Sequence, residues 1–87
     1  MISEKEILAG CIKGKQSAQW ELYNRYSRLL LAVCNRYAKD LDEAEDILQE
    51  GFVKIFLNIK EFKGDGPLLA WMRRIMINTA ITHYHKS

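Results

Sequence analysis

Trp71, Arg74 and Asn78 follow one another at intervals of three and four residues. A helix turning 100° per residue therefore carries all three on one stripe, with His85 two turns further along. The chemistry of that stripe suits nucleic acid. An indole stacks on an unpaired base, a guanidinium holds a phosphate or a guanine edge, and a carboxamide both donates to and accepts from a base edge. Just before it runs Phe62-Lys63-Gly64-Asp65-Gly66-Pro67-Leu68. Gly64 and Gly66 let backbone approach a base closely, Asp65 and the free amides offer hydrogen bonds to its edge, and Lys63 can hold the neighbouring phosphate. The plainer reading of Trp71, which borders an apolar stripe, is a core position.

A second constellation lies upstream and has the opposite sign. Asp40, Asp42, Glu43, Glu45, Asp46 and Glu50 fall in a stretch from 40 to 50 that contains no Lys or Arg. Such a segment repels phosphate, so a polyanion must lie elsewhere. On the same helix Ala44, Ile47, Leu48, Phe52, Ile55 and Ile59 cluster on one side, and Asp46, Gln49, Glu50, Val53 and Leu57 cluster on the other. A surface helix with one buried face would be polar at Val53 and Leu57. Apolar residues flanked by carboxylates fit a docking stripe for a protein partner that carries arginines and apolar side chains. The bland counterpart is a solvated acidic face with two incidental apolar residues. No enzyme chemistry emerges: the carboxylates lack the Glu-x-x-His pairs of bundle di-iron sites, His83 and His85 point in different directions, and no nucleophile–base pair can be picked out. No catalytic residue, metal or cofactor is assigned.

The elements that must position these groups come from a chain of 87 residues, enough for one small domain with a modest core. It is 48% hydrophobic with a single proline, which predicts a compact fold and not a disordered tail. The net charge is only +2, but it is unevenly spread: residues 1–62 hold nine basic against ten acidic side chains, and residues 63–87 four against one. The basic excess falls where the Trp71 stripe lies. Arg28, Arg36, Lys39 and Lys63 are the candidates for phosphate contacts. Cys11 and Cys34 show no Cys-x-x-Cys or Cys/His ligand spacing and read as reduced core thiols. With no apolar run near the ~18 residues of a membrane span and no secretory-type leader, a soluble cytoplasmic protein is expected.

Periodicity predicts four helices and no strand, an all-α bundle. Ser3 with Glu6 forms a capping box ahead of Ile7, Leu8, Cys11 and Ile12, and Gly14 supplies the stop. A second helix begins near Ser17 and keeps an apolar face through Leu22, Tyr23, Tyr26, Leu29, Leu30, Val33, Cys34 and Tyr37. A third opens with Asp42 as cap and Glu45 three residues on, and the last starts with Pro67 at its first helical position. Leu68, Met72, Ile75, Met76 and Thr79 form the core stripe of that last helix.

The run Asp42-Glu43-Ala44-Glu45-Asp46-Ile47-Leu48-Gln49-Glu50-Gly51-Phe52-Val53-Lys54-Ile55-Phe56, the loop Phe62-Lys63-Gly64-Asp65 and the run Trp71 to Ala80 together resemble the second conserved region of bacterial extracytoplasmic-function sigma factors. These are the subunits that give RNA polymerase its promoter specificity. The resemblance covers essentially the whole chain. It implies that the third helix docks on the clamp helices of the polymerase β′ subunit through Asp46, Gln49, Glu50, Val53, Lys54 and Leu57. It also implies that the loop and last helix recognise and melt the −10 promoter element by capturing non-template-strand bases. The residues so implied are Lys63, Gly64, Asp65, Gly66, Leu68, Trp71, Arg74 and Asn78, with Arg36 and Lys39 on the phosphates. An anti-sigma protein is a further partner it allows. Where family members often carry Ser then an aromatic in the loop, this chain has Gly66-Pro67-Leu68. The family also has a helix-turn-helix domain for the −35 element, so the chain is expected to be one domain of a longer protein. The rival from another class is a helical module that binds only protein, in which the Trp71 stripe touches no DNA.

Overall fold

Ser3 opens the first helix, α1 (Glu4–Ile12), with the expected reciprocal cap: its hydroxyl accepts from the Glu6 amide at 3.2 Å while the Glu6 carboxylate accepts from the Ser3 amide at 3.5 Å. The computed structural model describes residues 2–86, with side chains as far as His83. At the other end of α1 the Lys15 amide donates to the Gly10 carbonyl and the Gly14 amide to that of Cys11, which satisfies carbonyls the helix would leave bare. That turn leaves Lys15 extended as the cap of α2 (Gln16–Asn35), one residue ahead of the expected start. Its carbonyl accepts from the amides of Ala18 and Gln19, both at 3.1 Å.

The expected cap of the third helix is corrected. α3 spans Leu41–Asn58, and Asp40, not Asp42, caps it by accepting from the Glu43 amide at 2.8 Å. The Glu43 carboxylate in turn accepts from the Lys39 amide at 3.0 Å. A short 3-10 turn (Ile59–Glu61) follows, and α4 runs Leu68–Lys86. Pro67 also moves by one position: its carbonyl accepts from the Ala70 and Trp71 amides, so it is the cap and has no side-chain oxygen to add.

Among the described residues these four helices and one turn stand without any strand, the all-α bundle that periodicity predicts. α2, α3 and α4 pack on one another, and α1 lies against α2 and the 3-10 turn. The core residues expected of α3, from Ala44 to Ile59, are all buried, as are Leu68, Met72, Met76 and Thr79 of α4. The Thr79 hydroxyl donates to the Ile75 carbonyl at 2.7 Å, so its burial leaves no unsatisfied group. The apolar face read along α2 was too wide: Leu29 and Tyr37 stand exposed at its edges.

Gly51 makes room on α3 for the side chain of Met76 from α4, because a Cβ there would overlap the sulfur of this fully buried residue. The Cys34 thiol lies 3.8 Å from the same sulfur, and burial pushes its pKa up to about 11; burial also raises that of Cys11. Both thiols are therefore held protonated and unreactive near neutral pH. No helix among the described residues is long and apolar enough to cross a membrane.

Candidate functional site

The loop after the 3-10 turn folds against the start of α4 and leaves a cleft of about 410 Å³. Lys63, Asp65, Gly66, Trp71 and Arg74, all named from sequence, line it together with Glu61, Phe62, Pro67 and Ala70. Phe62 and Trp71 meet with ring centroids 5.6 Å apart and planes inclined by 53°. Both rings are half-buried against the core while contributing to the cleft wall, so the core position of Trp71 still leaves part of its ring open to the cleft. Arg74 stands exposed one turn along, and Asn78 one turn beyond that, outside the cleft but on the same stripe. His85 falls outside the residues whose side chains are described.

The loop owes its path to Gly64, whose φ of +77° is one that residues with a Cβ rarely adopt. Nothing lies within 4 Å of where a Cβ would stand on either Gly64 or Gly66. Of the two, Gly66 lines the cleft and Gly64 does not. Two cations, Lys63 and Arg74, and two anions, Glu61 and Asp65, border the cleft, so charge alone gives it little pull on phosphate. What the cleft offers a ligand is ring faces, backbone amides and directed hydrogen bonds.

Two sequence expectations need revision, those for Leu68 and Arg28. Leu68 is 1% exposed, and its side chain belongs to the core; only its backbone, at the start of α4, is near the cleft. Arg36 and Lys39 are exposed on the link between α2 and α3 and do not line the cleft. Arg28 faces Asp42, Glu45 and Asp46 across a second cleft, where carboxylates would repel a phosphate. Phe62 was not singled out as a wall of the site, although two aromatics bracketing a glycine-rich loop were a signal for it.

The outer face of α3 forms a separate surface. Asp46, Gln49 and Glu50 are exposed, and Val53 and Leu57 are 57% and 77% exposed, which leaves large apolar groups in water between carboxylates. Lys54 is half-buried on the flank, and its carbonyl accepts from the Asn58 side-chain Nδ2 at 2.8 Å. Asp46 and Gln49 also border the second cleft, about 490 Å³ between α2 and α3. The far end of α4 reaches this helix. His83 Nδ1 lies 3.9 Å from Glu50 Oε1, and Nε2 lies 4.0 Å from Glu43 Oε2, pairs that become ionic only when the imidazole is protonated. Sequence reading weighed His83 only as a metal ligand and missed this link. Among the described residues no group of three or more His, Cys, Asp or Glu side chains is arranged to hold a metal ion.

Known proteins resemble this chain in sequence and fold. The family described as sigma-70 region 2 matches residues 22–87. The RNA polymerase sigma-H factor of Pseudomonas aeruginosa is 31% identical over 80 residues, covering 92% of this chain and 42% of that protein. The ECF RNA polymerase sigma factor SigW of Bacillus subtilis is 32% identical over 85% of the chain and 40% of its own length. The ECF RNA polymerase sigma-E factor of Escherichia coli K12 is 35% identical over 78% of the chain and 35% of its own length. The chain thus spans less than half the length of the curated relatives it matches. A solved NMR structure, an engineered region 2 of sigmaE in complex with GTAAAA, superposes with a TM-score of 0.88 at 26% identity, covering 98% of this chain and 88% of that one.

Proposed function

The chain belongs to the sigma-70 region 2 family, and on that premise we propose that it serves transcription initiation by two separate surfaces. The outer face of α3 docks on RNA polymerase core, at the clamp helices of the β′ subunit. The Phe62–Trp71 cleft takes bases of the non-template strand of the −10 element. The role is one of binding, without catalysis, and is exercised in the cytoplasm where the polymerase works; an anti-sigma protein covering either surface would switch it off.

The observation that carries this reading is the cleft itself: paired aromatic walls, an open glycine loop and the Arg74/Asn78 stripe leading away from it. The solved relative bound to GTAAAA supports it, since its fold is the same. An extruded base loses a few kcal/mol of stacking, and a ring face with edge contacts returns roughly 1–3 kcal/mol per base. The balance favours a strand that is already open. Docking follows different physics, because a partner arginine against Asp46 or Glu50 would be desolvated beside Val53 and Leu57.

The two surfaces are separable by mutation. Asp46→Lys and Glu50→Lys should each weaken core-polymerase binding by roughly 2 kcal/mol or more while leaving single-strand binding and helicity in place. Trp71→Ala should do the reverse, losing the strand and keeping the core. Charge reversals that bind core like the parent would show that the α3 face has been misassigned. Full strand binding by Trp71→Ala would move the strand away from the cleft, and a parent that binds core but no strand would favour a module that binds protein only.

A further inference from the structure

We propose that an apolar hollow beside Trp20 on α2 continues the α3 docking face, and that the polymerase element seated on α3 covers it as well. This rests on the reading of α3 as the polymerase-docking helix. Trp20 is 60% exposed, an uncommon state for an indole, and it stacks on Tyr23 with centroids 6.3 Å apart and planes within 12° of parallel. Gln16, Gln19, Trp20, Tyr23 and Phe56 line a hollow of about 310 Å³ between α2 and α3. The fold makes little use of the Trp20 ring, most of which stays in water.

Two independent contacts join this hollow to the α3 face. Tyr23 borders both the hollow and the acidic cleft that holds Asp46 and Gln49. Phe56 stands three residues after Val53, so the two are neighbours on the helix surface, and Leu57 follows directly. The surface therefore passes without a break from carboxylates, over tyrosine, to an aromatic hollow. From Gln49 to Phe56 it extends about 10 Å along α3. A partner helix fits it by setting a cation against the acidic end and a large apolar side chain about two turns away in the hollow. That is the chemistry already required opposite Asp46, Glu50, Val53 and Leu57, so one polymerase element suffices. An exposed Trp at such a place has the profile of a binding hot spot.

The test measures binding of the labelled 87-residue chain to polymerase core at low and high salt, with circular dichroism to confirm the fold. Trp20→Ala should raise Kd about tenfold or more, by the same factor at both salts because the contact is apolar, whereas the loss in Glu50→Lys should shrink as salt rises. Trp20→Phe, which keeps a ring, should recover part of the affinity. If Trp20→Ala binds core like the parent while Glu50→Lys does not, the hollow lies outside the interface and the inference fails with the docking reading intact. If neither variant weakens binding, both fail. A parent that self-associates through Trp20, with core binding unaffected by its removal, would assign the hollow to a second copy and overturn the proposal.

Discussion

Lys63 and Asn78 sit on the same side of the molecule, but their chemistry sets them different tasks. Lys63 borders the cleft as a flexible point charge, suited to a phosphate and indifferent to sequence. Asn78 is an exposed carboxamide two turns down α4 from Trp71, able to match a base edge in both directions. Lys63→Gln should weaken binding by a similar factor for every −10 variant and flatten the salt dependence by about 0.7–1 in log–log slope. Asn78→Ala should instead change which base is preferred at one position, by about 1–3 kcal/mol of discrimination. A binding panel of single-base variants at several salt concentrations separates the two; a uniform loss for Asn78→Ala would move sequence reading to another residue. The stripe through Trp71, Arg74 and Asn78 was legible because helical spacing alone fixes it. The wall formed by Phe62 was not, because it depends on how a loop folds over nine residues. Leu68 and Arg28 misled for the same reason: their types suit a binding loop and a phosphate contact, and only packing shows one in the core and the other among carboxylates.

At the scale of elements, α3 is the clearest case of legibility and of its limit. Its two faces follow from 100° periodicity, and every residue assigned to its core is buried. Its start was ambiguous because two Asp-x-x-Glu patterns overlap, Asp40 with Glu43 and Asp42 with Glu45. The end of α2 decides between them. Its closing bonds, from the amides of Tyr37 and Ala38 to the Cys34 carbonyl, leave only Lys39 and Asp40 to span the gap, and Asp40 takes the extended conformation of a cap. Asp40→Ala should therefore cost about 1 kcal/mol, which lowers Tm by roughly 4–8 °C in a domain of this size. Asp42→Ala, in the first turn, should cost a few tenths, about 0.3–0.5 kcal/mol, through the helix dipole. Thermal denaturation of the two variants ranks them, and a larger loss for Asp42→Ala would return the helix start to that residue.

For the whole molecule, the two surfaces lie on helices that pack against each other. Met76 of α4 fills the space that Gly51 leaves on α3, and His83 reaches from α4 to Glu43 and Glu50. A partner docked on α3 as proposed would therefore set where the cleft points. The domain is a single body with a radius of gyration of 12.8 Å, near the ~12 Å expected of a folded chain this long. Its net charge of +2 gives little non-specific hold on DNA, so any preference for one form of DNA over another should be visible. The central claim is that the cleft captures bases from an open strand and does not read an intact duplex. It is tested most directly by titrating the chain with the non-template −10 strand and with the same sequence as a duplex, at one salt concentration. The single strand should bind at least about tenfold more tightly, since the duplex must first lose a few kcal/mol of pairing and stacking. Equal affinity for the two forms would contradict base capture and leave α4 as a groove-binding helix.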